Sequence, residues 1–444
     1  MEPLGQWGIE PVPAEARRLG LWDYVVLWGD LGIGLLVLLA GSFLVPALSL
    51  SQALGAILLG SVIGVTLLAL AGVPGSQTGV PTMVVLRPVL GIRGSYLPTV
   101  VNVLQLLGWT VFELVIMGHA ANAVSKQLVG WDAYAFWVAL WGVVVIGMAV
   151  WGPLAVVRQW LGRFAVWVML ATTLWLTWYL ATRYDVGQLL AKPGAGGFPF
   201  WAAVDLVIAM PISWMPLVAD YSRFARAPAP AFWGTALGYF LANVWFYGLG
   251  ALILLAAGVT QEPKGFVEAI ALIAGPLALL VLLVDETDEA WADLYSCAVS
   301  LNNMFPAVNQ RGLLVGLGVF SSAVALLLDI TRYEGFLLLI GSVFVPLFGV
   351  LASDYFVVRG RYDVNQLFRP GGLYWYRNGL HWPGLAAWVG GVFGYLWIAG
   401  KFAWLGLAGL PWLGASIPSF LLALAVYWVL VRLVPIRAGA VSGR

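Results

Sequence analysis

The sequence is poor in charge, cysteine and histidine, and each shortage excludes a class of protein. Only 10% of the 444 residues are charged, whereas a soluble domain usually has roughly 25%. The single cysteine, Cys297, excludes a disulfide framework, a multi-cysteine zinc site and an iron–sulfur cluster. The two histidines, His119 and His381, are too few for a haem or copper chain. The net charge of +1 gives no reason to expect a nucleic-acid partner.

What the sequence has in excess is apolar residues in long runs. Its hydrophobic fraction is 61%, and 53 glycines come in addition. Because the runs are continuous and do not alternate with polar residues, they predict membrane-spanning helices of about 20 residues each. Twelve spans are predicted, at residues 25–48, 53–73, 97–121, 133–152, 163–183, 200–219, 231–258, 267–300, 312–329, 334–357, 383–400 and 411–434.

Basic residues are distributed unevenly between the two sides of this arrangement. If the N-terminus is cytoplasmic, cytoplasmic segments hold 16 of the 22 Lys and Arg residues, among them Arg158 and Arg163, and external segments hold 6. Cytoplasmic loops are enriched in these residues, so the asymmetry predicts that both termini are cytoplasmic. We expect a multi-pass protein of the cell membrane, monomeric and surrounded by lipid.

Two predicted spans carry helix-breaking residues at corresponding places. Span 1 has three glycines within residues 29–34, beside the intramembrane acid Asp30. Span 6 has Pro211 and Pro216, each of which removes a main-chain donor. Either break alone is also explained by an ordinary kink. Together they predict a secondary transporter, because such proteins bind cargo where helices unwind near the bilayer midplane.

Spans 1 and 6 each begin a set of five spans, which predicts two five-helix repeats. The predicted segments are a cytoplasmic N-terminal segment (1–24), the first repeat (25–183), the second repeat (200–357), a cytoplasmic linker (358–382), accessory helices 11 and 12 (383–434) and a cytoplasmic tail (435–444).

Span 8 is unusually acidic for a membrane helix. Five of the nine residues 285–293 are carboxylates, and Asp285, Glu289 and Asp293 recur every four residues, so a helix would place them on one face. Hard oxygen ligands at this density suit Na⁺ or H⁺ and not a soft metal. The alternative is that 285–289 forms a loop between two shorter spans.

Span 3 carries a polar stripe with an aromatic residue in its middle. Asn102, Gln105, Trp109 and Glu113 follow one another at steps of three, four and four residues. A stripe of this kind faces other helices, either as the wall of a binding site or as a set of interhelical hydrogen bonds.

The sequence resembles the nucleobase–cation symporter-1 family, whose members transport purines, pyrimidines, allantoin, hydantoins and thiamine precursors. The resemblance extends over nearly the whole chain. It is carried by residues 79–87 and 91–95, by Gly108 and Trp109, and by residues 220–224. The acidic span 8 and residues 212–214 are similar to the bacterial hydroxymethylpyrimidine-transporter branch.

This resemblance implies a fold and a set of site residues. The fold is the leucine-transporter type, an all-α protein of two inverted five-helix repeats plus two helices. The substrate-binding residues implied are Trp109, Glu113, Gln105, Ser213, Trp214 and Asp293, with Trp109 stacked on a planar ring. Glu113 replaces a glutamine that is common in the family, and Trp214 is offset from the usual aromatic position.

The resemblance also implies a coupling-ion site and no cofactor. The expected ligands are the carbonyls of Leu31, Gly34 and Val284 and the side chains of Thr287 and Asp288. Asp288 replaces a family hydroxyl, so Na⁺ and H⁺, the latter on Asp288 or Glu289, both remain open.

The sequence therefore predicts a cation-coupled importer of a nucleobase or aminopyrimidine, such as cytosine or hydroxymethylpyrimidine. Other family substrates, namely a purine, uracil, allantoin or hydantoin, are the alternatives. A membrane-embedded enzyme and a channel are alternatives of a different class. An enzyme would need a nucleophile–base pair, which the sequence does not offer. A channel would need polar stripes on several spans, and only spans 3 and 8 carry them.

Overall fold

The computed structural model describes residues 7–151, 166–258, 263–328 and 333–433. Within these ranges the protein is helical, and β structure is confined to two isolated bridges. Arg158, Arg163 and the predicted tail 435–444 lie outside the described residues.

The helices, in chain order, are α1 Leu21–Asp30, α2 Leu35–Ser42, α3 Leu50–Thr78, α4 Thr82–Val85, α5 Arg87–Leu90, α6 Tyr96–Val129, α7 Tyr134–Trp151, α8 Val166–Arg183, α9 Val186–Ala191, α10 Phe200–Ser213, α11 Val218–Ser222, α12 Pro228–Ala257, α13 Pro263–Met304, α14 Gln310–Ala325, α15 Tyr333–Ala352, α16 Trp382–Ile398 and α17 Ser416–Leu433.

Each of the twelve predicted spans coincides with a helix or with a broken pair of helices. Seven described helices are long and apolar enough to cross a membrane, and the bent pair α1–α2 adds an eighth. The remaining predicted spans correspond to α8, α13, α14 and α16. Of these, α14 and α16 have 16 and 17 residues, which is shorter than a typical span.

Span 1 is broken where its glycines predict. α1 ends at Asp30 and α2 begins at Leu35, and the two axes differ by 61°. The amide of Ile33 donates to the carbonyl of Asp30 (2.9 Å) and closes the turn between them. Because helix ends leave main-chain N–H and C=O groups without intrahelical partners, groups around this break can face neighbouring helices.

Span 6 is broken at its proline pair. α10 ends at Ser213, a 3₁₀ turn covers Met215–Leu217, and α11 follows from Val218. Residues 203–222 are buried throughout, so this break lies inside the protein, as the break of span 1 does.

Span 8 is helical through its acidic segment, as its spacing predicts, and its non-helical residue lies ten residues earlier. The non-helical residue of α13 is Gly275 (φ 77°), immediately before Pro276. The acidic segment 285–293 lies within continuous helix, so the loop alternative for 285–289 is wrong. A helix tolerates these acids because Glu286, Asp288, Glu289 and Asp293 are all buried against protein.

Arg223, at the end of span 6, joins three parts of the chain. Its Nε donates to the main-chain carbonyl of Asp220 (3.2 Å), and its other nitrogens donate to the carbonyl of Gly8 (2.7 Å) and the hydroxyl of Tyr295 (3.1 Å). The Asp220 carboxylate accepts from the amide of Thr82 (2.9 Å). Both residues therefore hold this end of the protein together.

Candidate functional site

A small cavity lies where the broken spans 1 and 6 face spans 3 and 8. Four helical segments contribute to its wall, two of them beside a break. The lining residues are Leu36, Val37, Trp109, Glu113, Met210, Ser213, Trp214, Glu289 and Asp293. Five of the six predicted substrate-binding residues are among them, and Gln105 is the exception.

The span 3 wall presents an indole and a carboxyl group one turn apart. Trp109 is only 6% exposed, and its ring contacts Tyr333 and Phe336 of α15 edge to face, with centroids 5.7 and 5.4 Å away. These contacts fix the plane of the indole at the cavity. The indole nitrogen of Trp109 and Oε2 of Glu113 have no hydrogen-bond partner among the described residues.

The other half of the span 3 stripe joins helices. Asn102 donates to the hydroxyl of Ser300 on α13 (2.8 Å). Gln105 donates through Nε2 to Asn102 (3.2 Å) and to the carbonyl of Ser213 (2.7 Å). One half of the stripe therefore lines the cavity, and the other half forms interhelical hydrogen bonds. The amide of Gln105 supports the break of span 6 from behind.

Span 6 contributes a hydroxyl and a second indole. The hydroxyl of Ser213 donates to the carbonyl of Met210 (2.6 Å), so towards the cavity it can only accept. Trp214 is 6% exposed and meets Trp28 of α1 edge to face at 6.0 Å. Despite its offset position, Trp214 thus reaches the cavity.

Span 8 contributes two carboxyl groups from one helix face. Glu289 and Asp293 are four residues apart and both line the cavity, as their spacing predicts. Oδ2 of Asp293 has no hydrogen-bond partner among the described residues. The side chain of Asp285, the third residue of the expected face, lies outside the described set.

Polar groups at the cavity are mostly acceptors. Glu113, Glu289, Asp293 and the Ser213 hydroxyl offer oxygen atoms, whereas the indole N–H of Trp109 is the donor without a partner. A ligand that satisfies these groups must carry more N–H donors than carbonyl acceptors.

The break of span 1 packs against the acidic segment of α13. The amide of Leu35, the first residue of α2, donates to Oε2 of Glu286 (2.6 Å). A Cβ atom on Gly34 would lie 2.9 Å from a Glu289 oxygen and 3.2 Å from a Glu286 oxygen, so a larger residue at position 34 would displace these carboxyl groups. Sequence reasoning missed this capping role of Glu286, because nothing local connects residues 35 and 286.

The expected ligands of the coupling ion belong to the break of span 1 and to residues 284–288 of α13. Thr287 donates its hydroxyl to the carbonyl of Val284 (2.6 Å), and Asp288 is 1% exposed. Leu31 and Gly34 flank the break itself. Asp30, beside Leu31, is 4% exposed, and no described donor reaches either of its carboxyl oxygens. The buried oxygen atoms of Asp30, Thr287 and Asp288 are of the kind that a hard cation prefers, whereas the side chain of Val284 is 38% exposed.

The described residues do not contain a group of three His, Cys, Asp or Glu arranged to hold a metal ion. The acidic residues near the break therefore do not form the carboxylate cage typical of a tightly bound divalent metal.

The chain matches a family of membrane permeases over most of its length. The family described as permease for cytosine/purines, uracil, thiamine, allantoin matches residues 11–415. Hydantoin permease of Microbacterium maritypicum is 27% identical over 85% of this chain and 81% of its own. Allantoin permease of Bacillus subtilis is 25% identical over 89% and 86%, and cytosine permease of Escherichia coli K12 is 25% identical over 80% and 81%.

Solved structures share the same architecture. The nucleobase–cation-symport-1 family transporter Mhp1, closed with bromovinylhydantoin bound, superposes with a TM-score of 0.80 at 24% identity over 98% of this chain and 97% of its own. A Na⁺-coupled sialic acid symporter gives a TM-score of 0.67 at 11% identity over 98% and 93%. The all-α, polytopic fold with two inverted repeats is thereby confirmed.

Proposed function

Because this chain belongs to the family of permeases for cytosine, purines, uracil, thiamine and allantoin, we propose that it imports a planar aminopyrimidine by cation symport. It is a multi-pass membrane transporter and not an enzyme. The aminopyrimidine is of the cytosine or hydroxymethylpyrimidine class, and the membrane is the cell membrane, with both termini cytoplasmic.

The observation that carries the substrate class is the surplus of acceptors at the cavity. A ring nitrogen beside an exocyclic amine needs a donor and an acceptor side by side, and a protonated carboxyl group offers both. Glu113 and Asp293 each have an oxygen without a partner, and a glutamine at position 113 would suit an imide edge better. We therefore assign the ring edge to Glu113 and Asp293, with one of them protonated.

The ring itself would stack on Trp109. Stacking of a base on an aromatic side chain is worth about 1–3 kcal/mol and tolerates many ring types. Orientation then comes from the polar edge, where Ser213 accepts and Glu113 and Asp293 accept or donate. Trp214 closes the opposite side of the cavity. Gln105 acts indirectly, by supporting the main chain of Ser213.

The coupling cation would be held between the break of span 1 and α13, by Leu31, Gly34, Val284, Thr287 and Asp288. Movement of the cation down its electrochemical gradient would supply the work of import, about 2.3 kcal/mol per charge for each 100 mV of membrane potential. These residues join two elements that the fold moves relative to each other, spans 1, 2, 6 and 7 against spans 3, 4, 8 and 9. Cation binding can therefore favour the conformation that accepts the substrate.

Uptake into proteoliposomes tests this proposal. Labelled cytosine and hydroxymethylpyrimidine should accumulate only under an inward Na⁺ or H⁺ gradient, saturably, and an ionophore should abolish accumulation. Uracil, allantoin and hydantoin serve as competitors. Uptake that neither saturates nor follows a cation gradient would indicate a channel and contradict the proposal.

Hydantoin is the second candidate, since the hydantoin permease is among the relatives and bromovinylhydantoin occupies a solved relative. A higher affinity for hydantoin than for any aminopyrimidine would favour it. The acceptor-rich cavity leads us to expect the opposite order.

A thermal-shift titration of the purified protein resolves the coupling ion. If Na⁺ is coupled, it should raise the affinity for the base, and the base should raise the affinity for Na⁺ by the same factor. A pH effect without a Na⁺ effect would assign the coupling to H⁺.

A further inference from the structure

We propose that Asp30 is a direct side-chain ligand of the coupling cation, which is then held by two carboxylates, Asp30 and Asp288. This inference rests on the proposed function, because it concerns the ion that drives import. The expected site takes only main-chain carbonyls from span 1, and the carboxylate of Asp30 adds a charged ligand from that helix.

The position of Asp30 gives no structural reason for a carboxylate. Asp30 is the last residue of α1, where the helix dipole is negative and disfavours an acid. The side chain is 4% exposed, and both of its oxygens lack a hydrogen-bond donor among the described residues. A buried acid in such surroundings either takes up a proton or is stabilised by a compensating positive group.

The neighbouring groups do not provide that compensation. The carboxyl groups of Asp30 and Asp288 lie within hydrogen-bonding distance of each other, across the contact of span 1 with α13. Glu289, on the same turn of α13, interacts electrostatically with Asp30 and adds like charge. Glu286 is already engaged, since it accepts the amide of Leu35. A cation bound between Asp30 and Asp288 would stabilise this group of neighbouring acids.

The cation that fits is a hard ion of the Na⁺ type. The groups at hand are carboxylate, hydroxyl and carbonyl oxygens, and soft ligands are not among them. The described residues lack a trio of acids, histidines or cysteines arranged around one metal position, which argues against a caged divalent ion.

Four proteins test the assignment: the wild type, Asp30→Asn, Asp30→Glu and Asp23→Asn. Asp30→Asn keeps the size of the side chain and removes its charge, whereas Asp30→Glu keeps the charge. Asp23→Asn is the matched control, because Asp23 lies on the same helix and only caps its first turn, through the amide of Gly20 (2.8 Å).

The measurements are the Na⁺-dependent thermal shift and binding of radioactive sodium, both with full-length protein in detergent. NaCl is varied against choline chloride at constant ionic strength, and binding of the base is recorded separately. Loss of a group that merely orients a metal ligand costs roughly 10- to 100-fold in metal affinity. Asp30→Asn should therefore raise the half-saturating Na⁺ concentration at least about 10-fold. Asp30→Glu should retain most of the response, and Asp23→Asn should match the wild type.

The outcomes separate this inference from the proposed function. If Asp30→Asn folds and responds to Na⁺ like the wild type, Asp30 is not a ligand, although Na⁺-coupled import stands. If the wild type binds the base and its thermal stability responds to pH but not to Na⁺, the assigned Na⁺ site is wrong and import is coupled to protons. If the wild type neither binds the base nor responds to either ion, both proposals fall.

Discussion

Spans 1 and 6 are both broken inside the protein, and their breaks are supported by different chemistry. The break of span 6 is neutral: Gln105 donates to the carbonyl of Ser213, and the Ser213 hydroxyl donates to Met210. The break of span 1 is surrounded by acids: Glu286 caps α2, and Asp30 contacts Asp288. At the break of span 6 the carbonyl and the hydroxyl of Ser213 both have partners, although Oε1 of Gln105 has none, whereas both oxygens of Asp30 have no described donor.

This difference indicates that the breaks of spans 1 and 6, which are pseudo-symmetric, have different roles. A break whose groups already have partners can hold a fixed shape and present Ser213 and Trp214 to a neutral ring. A break that places buried acids next to one another is stabilised when a cation or a proton neutralises their charge. An unwound helix would thus bind the substrate in one repeat and the coupling ion in the other.

The largest effect is expected from removing a carboxylate on the span 1 side. Asp288→Ala should abolish accumulation of substrate in proteoliposomes, because the cation loses a charged ligand, while the protein remains folded in the membrane. Asp132→Ala is the control, since Asp132 is exposed and its partners are Lys126 (3.3 Å) and Asn122 (2.8 Å) at the surface. If Asp288→Ala accumulates substrate as well as the wild type does, the cation binds elsewhere, and the breaks of spans 1 and 6 do not differ in the way inferred here.

The next largest effect concerns the polar edge of the ring, between the two breaks. Glu113→Gln should lose binding of cytosine and hydroxymethylpyrimidine and spare or improve binding of uracil, because an amide cannot replace a protonated carboxyl beside an amino-substituted ring. Isothermal titration with a panel of bases measures this. Glu334→Gln, at an exposed glutamate of α15, should leave the panel unchanged. An unchanged order of preference in Glu113→Gln contradicts the assigned edge.

Removal of the stacking face should have an intermediate effect. Trp109→Ala should weaken binding of the base roughly 5- to 150-fold, since base–aromatic stacking is worth about 1–3 kcal/mol. Trp109→Phe keeps an aromatic face and should weaken it less. Trp178→Ala, at a tryptophan that is 62% exposed, serves as the control. Equal affinity in the wild type and both Trp109 variants would exclude this residue from the site.

The smallest effect should come from the support of the span 6 break. Gln105→Leu leaves the buried carbonyl of Ser213 without its donor, a cost of about 1–3 kcal/mol in stability. We expect a lower melting temperature and a loss of base affinity smaller than that of Trp109→Ala, with the Na⁺ response intact. Gln188→Leu, at an exposed glutamine, should change neither. A selective loss of the Na⁺ response would show that the two breaks are not separate.

Much of the fold follows from local features of the sequence. Each predicted span coincides with a helix because the length of an apolar run is a local property. The breaks of spans 1 and 6 follow from glycine and proline, which act on their own turn. The break of span 8 at Gly275 and Pro276 was not predicted, because the acids at 285–293 were the more prominent feature of this span.

The site was only partly accessible to such reasoning. Spacing along one helix brings Trp109 and Glu113 together, and likewise Glu289 and Asp293. It cannot decide that Gln105, on the same stripe as Trp109, turns away from the cavity to Ser213. That choice depends on where α10 ends relative to α6, which is a matter of packing.

The sequence by itself determined which segments are helices, where two of them break, and that acids lie within a membrane span, because these depend on neighbours a few residues apart. Only the tertiary structure decided that Glu286 caps α2 and that Asp30 contacts Asp288. These partners are about 250 residues apart in the chain. Their contact depends on how the two repeats pack, and the glycine at position 34 permits the approach because it has no Cβ atom to occupy the space of the two carboxyl groups.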